Sequence, residues 1–260
     1  MHEAPSSQDF LGFPLGSQEV DVAQSNAYLG AVAAASDRVI SGTAATSVQG
    51  RPIRYAVVGR EDRMTPGALA KIRTNATALR DPTLTDEQAK ELEAATPEIL
   101  WVSANVHGDE ESGADAALQV LYELADRNDC VVSTILDRAI VVVLPIQNPD
   151  GRELNTRRNA YGFDMNRDWF ARTQPETDGK LQVVRQYPPM LYIDAHEFGR
   201  TTSSLRTRTP SITRSPIPHT GGSTTSTRPP SRSSSSERRS TSSTVPVRLL
   251  RHRVRRHGPH

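Results

Sequence analysis

The stretch Asn105-Val106-His107-Gly108-Asp109-Glu110 sets an imidazole and a carboxylate three positions apart, just after an apolar run, Ile99-Leu100-Trp101-Val102-Ser103-Ala104. That run reads as a buried strand, and the sequence beyond Glu110 as an amphipathic helix. A histidine at a strand's end and a glutamate three residues on can offer one nitrogen and one carboxylate to the same point. A catalytic zinc centre takes three protein ligands and keeps one position open. The third donor must come from elsewhere in the chain.

Residues 1–199 hold three histidines, His2, His107 and His196. His196 follows a second short apolar run, Leu191-Tyr-Ile-Asp-Ala195. In open α/β sheets, functional groups gather beyond the carboxyl ends of the strands. If the two strands are parallel neighbours, both imidazoles reach the same sheet edge, and with Glu110 they make a His₂Glu set. Zinc held there would acidify a bound water and polarise a carbonyl. Each histidine taken alone reads more readily as a solvated loop residue; the pair with a correctly placed Glu110 brings the two readings level, and at this point both stand.

Between the two histidines, Asn148-Pro149-Asp150-Gly151-Arg152 reads as a tight turn after a strand, followed by a Gly- and Arg-rich loop to about Trp169. Arg157, Arg158 and Arg167 crowd into a mostly acidic body. They are either solvated loop charges or forks for a carboxylate, which guanidinium groups grip in a bidentate way.

The elements that must position these groups follow from periodicity and punctuation. Residues 1–22 read as an extended lead-in, and Ser25 as the cap of a helix to about Ala35. Arg51–Val58 alternates as a strand. Thr65-Pro66 opens a helix whose face carries Leu69, Ile72, Ala76 and Leu79. Thr85 with Gln88 is a capping box, and Pro97 closes that helix ahead of the strand that delivers His107. Ala114, Ala117, Leu118, Leu121 and Ala125 keep helical spacing. Ala139–Pro145 is a continuous apolar run, as in a parallel strand covered on both faces. Gly151 and Gly162 read as turn residues. The fold class is α/β, a mixed, largely parallel sheet flanked by helices, with a disordered C-terminal tail.

Composition divides the 260-residue chain. Residues 1–199 carry a net charge of −11, whereas residues 200–260 carry 13 Arg, no Lys and one acid, Glu237, for a net of +12. That Ser/Thr/Arg/Pro-rich segment cannot bury enough apolar surface to offset its ordering entropy, and disorder is expected. The abrupt change near Gly199 is the pattern a shifted reading frame in a GC-rich gene leaves; a genuine basic arm is the alternative. The arm lacks aromatics to stack on bases, so nucleic acid is not an expected partner beyond the tail's bare charge. One cysteine, Cys130, excludes an intramolecular disulfide. No apolar run reaches the length of a membrane span, and Met1–Pro5 does not open a signal peptide. The compartment is undecided.

Taken together, HGDE (107–110), NPDG (148–151), TRRN (156–159) with DMNRD (164–168), and DAHE (194–197) resemble, in this order and spacing, the zinc carboxypeptidases of the carboxypeptidase A/B type. The resemblance covers about residues 8–199. It implies a carboxypeptidase-like fold, one zinc ion per chain on His107, Glu110 and His196, and substrate-carboxylate binding by Asn166 and Arg167. Arg157 would steady the scissile carbonyl and the oxyanion it becomes, with the adjacent Arg158 as the alternative. The implied substrate is a peptide with a free C-terminal carboxylate, shortened from that end by zinc-activated water.

The family pattern also asks for a glutamate base and a tyrosine far downstream of the last ligand. No Tyr follows Tyr192, and after Glu197 the only acid is Glu237, in a polar run. Glu197 itself should point away from the metal edge. The expectation is an incomplete domain over residues 1–199, with weakened zinc binding and impaired hydrolysis. The alternative is a non-catalytic remnant that binds zinc or peptide carboxylates, with the basic tail as an anchor to anionic surfaces or nucleic acid.

Overall fold

The computed structural model describes residues 4–197. The boundary expected near residue 199, the tail and Glu237 lie outside the described residues. Within them, five strands form one sheet: β1 (Val39–Thr46), β2 (Pro52–Val58), β3 (Glu98–Ala104), β4 (Ala139–Leu144) and β5 (Leu191–Ala195), in the order β1-β2-β4-β3-β5. β1 and β2 form an antiparallel hairpin, and β2 runs antiparallel to β4. β4, β3 and β5 are parallel. The sheet is therefore mixed, with its parallel part under the candidate site.

Alternation along the strands explains the layering, because successive side chains leave a strand on opposite faces. Val141 and Val143 join Ala56, Val58 and Ala104 in a core with Leu118, Leu121, Tyr28 and Val32. These last come from α5 (Ser112–Asp126) and α2 (Val22–Ala35). Ile140, Val142 and Leu144 face the other way, with Trp101, Leu69, Ile72 and Val183. That second core is covered by α3 (Pro66–Ala78) and α8 (Pro175–Gln186). Every residue of β4 is buried, as its unbroken apolar run requires. Each such side chain contributes about 1.5–3 kcal/mol, so the sheet is fixed chiefly by this double burial. Trp101, fully buried, also keeps its indole N–H satisfied by donating to the Tyr187 carbonyl at 2.7 Å.

The helix signals at Thr65-Pro66 and at Thr85 with Gln88 are realised as caps, the second opening α4 (Asp86–Ala94). Two readings need correction. The α2 cap is Asp21, four residues ahead of Ser25, in a capping box with Gln24; Ser25 is buried inside the helix instead. The lead-in also contains a short helix, α1 (Ser7–Leu11), capped by Ser6 and ended by Gly12 at φ +83°. Its Ser-x-x-Asp pattern was the available signal. A further helix, α6 (Cys130–Arg138), is capped by Asp129.

Where α8 meets β1 the fit is close. A Cβ on Gly179 would lie 2.3 Å from the Ala45 side chain and 2.4 Å from the Ala44 carbonyl, at a bulge in β1. A side chain there would push α8 off the sheet. The glycine thus sets the depth at which its neighbour Lys180 enters the interior. No helix among the described residues is long and apolar enough to cross a membrane.

Candidate metal centre

β3 and β5 are parallel neighbours paired Ala104 to Ala195, so both histidines emerge at one edge of the sheet. His196 follows β5 directly. His107 is returned to the edge by a kink at Asn105, a buried residue with φ +54°. Asparagine tolerates this left-handed conformation better than most residues. Its side-chain amide then donates to the carbonyls of His107 at 2.9 Å and Glu110 at 2.9 Å, tying the loop into a ring.

That loop rests on α7 (Pro149–Glu153), a five-residue helix where a tight turn was expected. Asn148 caps it, accepting from the Gly151 N–H at 3.0 Å, and Pro149 takes the first helical position. Asp150 is fully buried and accepts from Ser47 Oγ at 2.8 Å, Gln49 N at 3.0 Å and Arg51 Nη1 at 2.8 Å, which bolts α7 to the β1–β2 hairpin. Gly151 is not a turn residue. It is there because a Cβ would lie 2.4 Å from Asn148 Nδ2 and 2.6 Å from the Arg158 carbonyl oxygen; a Cβ on Gly108, in turn, would fall 2.0 Å from the Gly151 carbonyl carbon. Gly162, at φ +79°, does serve a turn.

The three donors converge. His107 Nδ1 stands 2.7 Å from Glu110 Oε1, and His196 Nδ1 stands 2.8 Å from Glu110 Oε2. All three ligand atoms lie within 4.8 Å of one another, and the two rings are 4.9 Å apart. Each ring turns its other nitrogen to an aspartate. His107 Nε2 is 3.2 Å from Asp164 Oδ1, and His196 Nε2 is 3.0 Å from Asp194 Oδ2. Such carboxylates fix the tautomer that leaves the inner nitrogen free for a metal. Burial pushes both aspartates up, but Arg157 beside Asp164 and His196 beside Asp194 more than reverse it, and both are held below the usual carboxylate range. The bond to Asp194 raises His196 above the ordinary imidazole value, against its partial burial.

The arginines separate cleanly. Arg157 donates through Nε and Nη2 to Asp164 Oδ2 at 3.1 and 3.0 Å, and its Nη1 stands 3.1 Å from His107 Nδ1. Arg158 turns away and donates to the Gly162 carbonyl at 2.7 Å. Asn166 comes to the site, with Nδ2 3.4 Å from His196 Nε2 and Oδ1 accepting from Trp169 Nε1 at 3.2 Å. Arg167, exposed on the short 3₁₀ turn Met165–Arg167, folds back to donate to the Asn166 carbonyl. Glu197 accepts from the Ser112 N–H at the start of α5 and is not one of the converging donors.

Residues 25–204 match the family model described as zinc carboxypeptidase. The chain belongs to the zinc carboxypeptidase family. Among curated relatives, Probable carboxypeptidase 2 of Trichophyton verrucosum is 34% identical over 109 residues, 41% of this chain and 21% of that protein. Carboxypeptidase D of Homo sapiens is 29% identical over 122 residues, covering 40% of this chain and 9% of the human protein. These matches span about a fifth of the fungal relative and less of the human one. Carboxypeptidase A of Helicoverpa armigera shares the fold, with a TM-score of 0.53 over 70% of this chain and 46% of that one, at 18% identity.

Asn105, Asp164, Gln147, Lys180 and Asp194 were not singled out from sequence. Asp194 had a legible signal. It stands on β5 two residues before His196, which directly follows the strand, and side chains at that spacing in extended chain leave the same face. Asp164 reaches its histidine across 57 positions, and no local pattern announces it.

Proposed function

We propose that His107, Glu110 and His196 hold one zinc ion, and that the chain is a metallocarboxypeptidase domain acting on peptides with a free C-terminal carboxylate. The supporting observation is the convergence of both Nδ1 atoms on Glu110, each ring backed by an aspartate. Two imidazoles and a carboxylate are a donor set that zinc accepts in catalytic centres. When bound, zinc supplies Lewis acidity toward a carbonyl and makes water a better nucleophile.

The chain's own groups divide the remaining work. Arg157, rather than Arg158, faces the cluster and would donate to the scissile carbonyl oxygen, where negative charge develops. Asn166 and Arg167 would take the substrate's terminal carboxylate, Asn166 through its amide and Arg167 after swinging off the Asn166 carbonyl. Among the described residues, carboxylates beside the cluster are already engaged: Glu110 between the rings, Asp164 and Asp194 behind them, and Glu197 with the Ser112 N–H at the start of α5. For the sequence as it stands we therefore propose zinc binding with impaired hydrolysis, because loss of a general base typically costs about 10²–10⁴-fold.

Zinc content of the purified chain, measured by elemental analysis beside His107→Ala, tests the centre. One zinc per wild-type chain and none in the variant is the expected result. Peptide hydrolysis at a rate typical of the family, lost in His196→Ala, would defeat the impairment but keep the zinc site. Peptide binding that needs Arg167 and ignores a chelator would favour the non-catalytic reading.

A further inference from the structure

Behind His196 runs a line of buried polar side chains that the ligand set and the arginine loop leave unexplained. Lys180 on α8 and Gln147 beyond β4 are each 1% exposed. Lys180 Nζ donates to Gln147 Oε1 at 2.7 Å and lies 3.8 Å from the centre of the Trp169 ring. Gln147 Nε2 donates to the Ala104 carbonyl at 3.0 Å and to Asp194 Oδ1 at 3.1 Å. The other oxygen of Asp194 meets His196 Nε2.

The order of these bonds is chemically directed. An ammonium group has donors and no acceptor. With Lys180 at one end and the Ala104 carbonyl and Asp194 at the other, the Gln147 carboxamide turns its oxygen to α8 and its NH₂ to β5. Asp194 Oδ1 is then occupied by an N–H, and Oδ2 is left to accept the imidazole Nε2–H. The His196 ring is held with Nδ1 facing Glu110 and His107. Burial draws Lys180 down to about 8 against the pull of Asp194 and Asp168. A methionine would pack the same space without that penalty, so the charge needs another reason.

On the reading of His196 as a metal ligand, we propose that Lys180, acting through Gln147 and Asp194, is a positioning residue that fixes the His196 ring with Nδ1 toward the metal. With Met at position 180 the buried Gln147 oxygen loses its donor, so the carboxamide is anchored at one end only, its hold on Asp194 loosens, and the ring is less firmly fixed.

Zinc affinity of the full chain, measured by competition with a chromophoric chelator, tests this in Lys180→Met and Asp194→Asn. Both variants should bind zinc about 10–100-fold more weakly. The unfolding midpoint of zinc-free Lys180→Met should change little, because relief of the buried charge offsets the loss of the donor to Gln147 Oε1. Affinities within twofold of wild type would overturn the proposal, as would zinc loss in Lys180→Met matched by a falling midpoint. Asp194→Asn preserves shape and carries the test if Lys180→Met does not fold. If wild type takes up no zinc, the ligand reading fails instead. A double-mutant cycle of Lys180→Met with His196→Ala in zinc-free protein then decides whether the ring is coupled to α8: additive midpoints refute the coupling, and non-additive ones sustain it.

Discussion

Gly108 and Gly151 bring two backbones into direct contact: the loop between the first two candidate ligands lies on the helix after β4 with no room for a side chain. Sheet, hairpin and site meet through that pair. Gly108→Ala should destabilise the chain by about 1–3 kcal/mol, the usual range for overpacking. It should also lower zinc uptake by displacing His107. Urea denaturation with elemental analysis checks both, and an unchanged midpoint would show that the loop yields.

Asp150 gives a second test of the same scaffold. It is fully buried and serves three donors on or beside the hairpin. Asp150→Ala leaves the buried Ser47 hydroxyl and the part-buried Gln49 N–H without their acceptor, and a fully buried orphan costs about 1–3 kcal/mol. A loss of about 2–4 kcal/mol is expected in denaturant melts. Less than 1 kcal/mol would mean that water replaces the carboxylate.

Asp164 should matter to the metal more than to the fold. Asp164→Asn retains the shape and weakens both the His107 and Arg157 contacts. Zinc affinity should fall about 10–100-fold, with the unfolding midpoint of metal-free protein shifting much less. Competition titration against a chelator reads the first, and a thermal melt the second.

The buried lysine predicts a pH dependence whose sign is opposite to that of a stabilising ion pair. Lys180 titrates near 8 when folded, against 10.5 in its ordinary state. Between these values the unfolded chain binds the extra proton, so stability rises with pH. The slope from this group approaches about 1.4 kcal/mol per pH unit between roughly pH 8 and 10. Melts of metal-free wild type and Lys180→Met across that window should diverge, with the rise smaller in the variant. Parallel curves would place the proton elsewhere.

Much of this architecture could be read from the residues. Wherever one local pattern dictated one outcome, as with the apolar run of β4, the Thr65-Pro66 start and the Thr85–Gln88 box, element and expectation coincide. β1 was missed because Ser41, Gly42, Thr43 and the alanines carry no alternation, and β2 and α8 hold it in place. α8 was missed because its interior face is Glu176, Thr177, Gly179 and Lys180 with a single valine, a face written in hydrogen bonds rather than in apolar residues. The three candidate ligands were legible because strand ends announce them. Their supporting carboxylates and the Gln147–Lys180 line depend on contacts distant in sequence.

The parallel pairing of β3 with β5 also bears on the order in which the site assembles. His107 and Glu110 are neighbours as soon as their loop closes, whereas His196 must cross 86 positions to reach Glu110. It does so on a strand that, among the described residues, is paired along one side only. Such a strand opens at lower free energy than the central ones, and a ligand that needs it closed holds it closed. Zinc should therefore slow hydrogen exchange at the Leu191–Ala195 amides well before it slows exchange in β4. Metal uptake in this chain would then act as a clock for the last strand to dock.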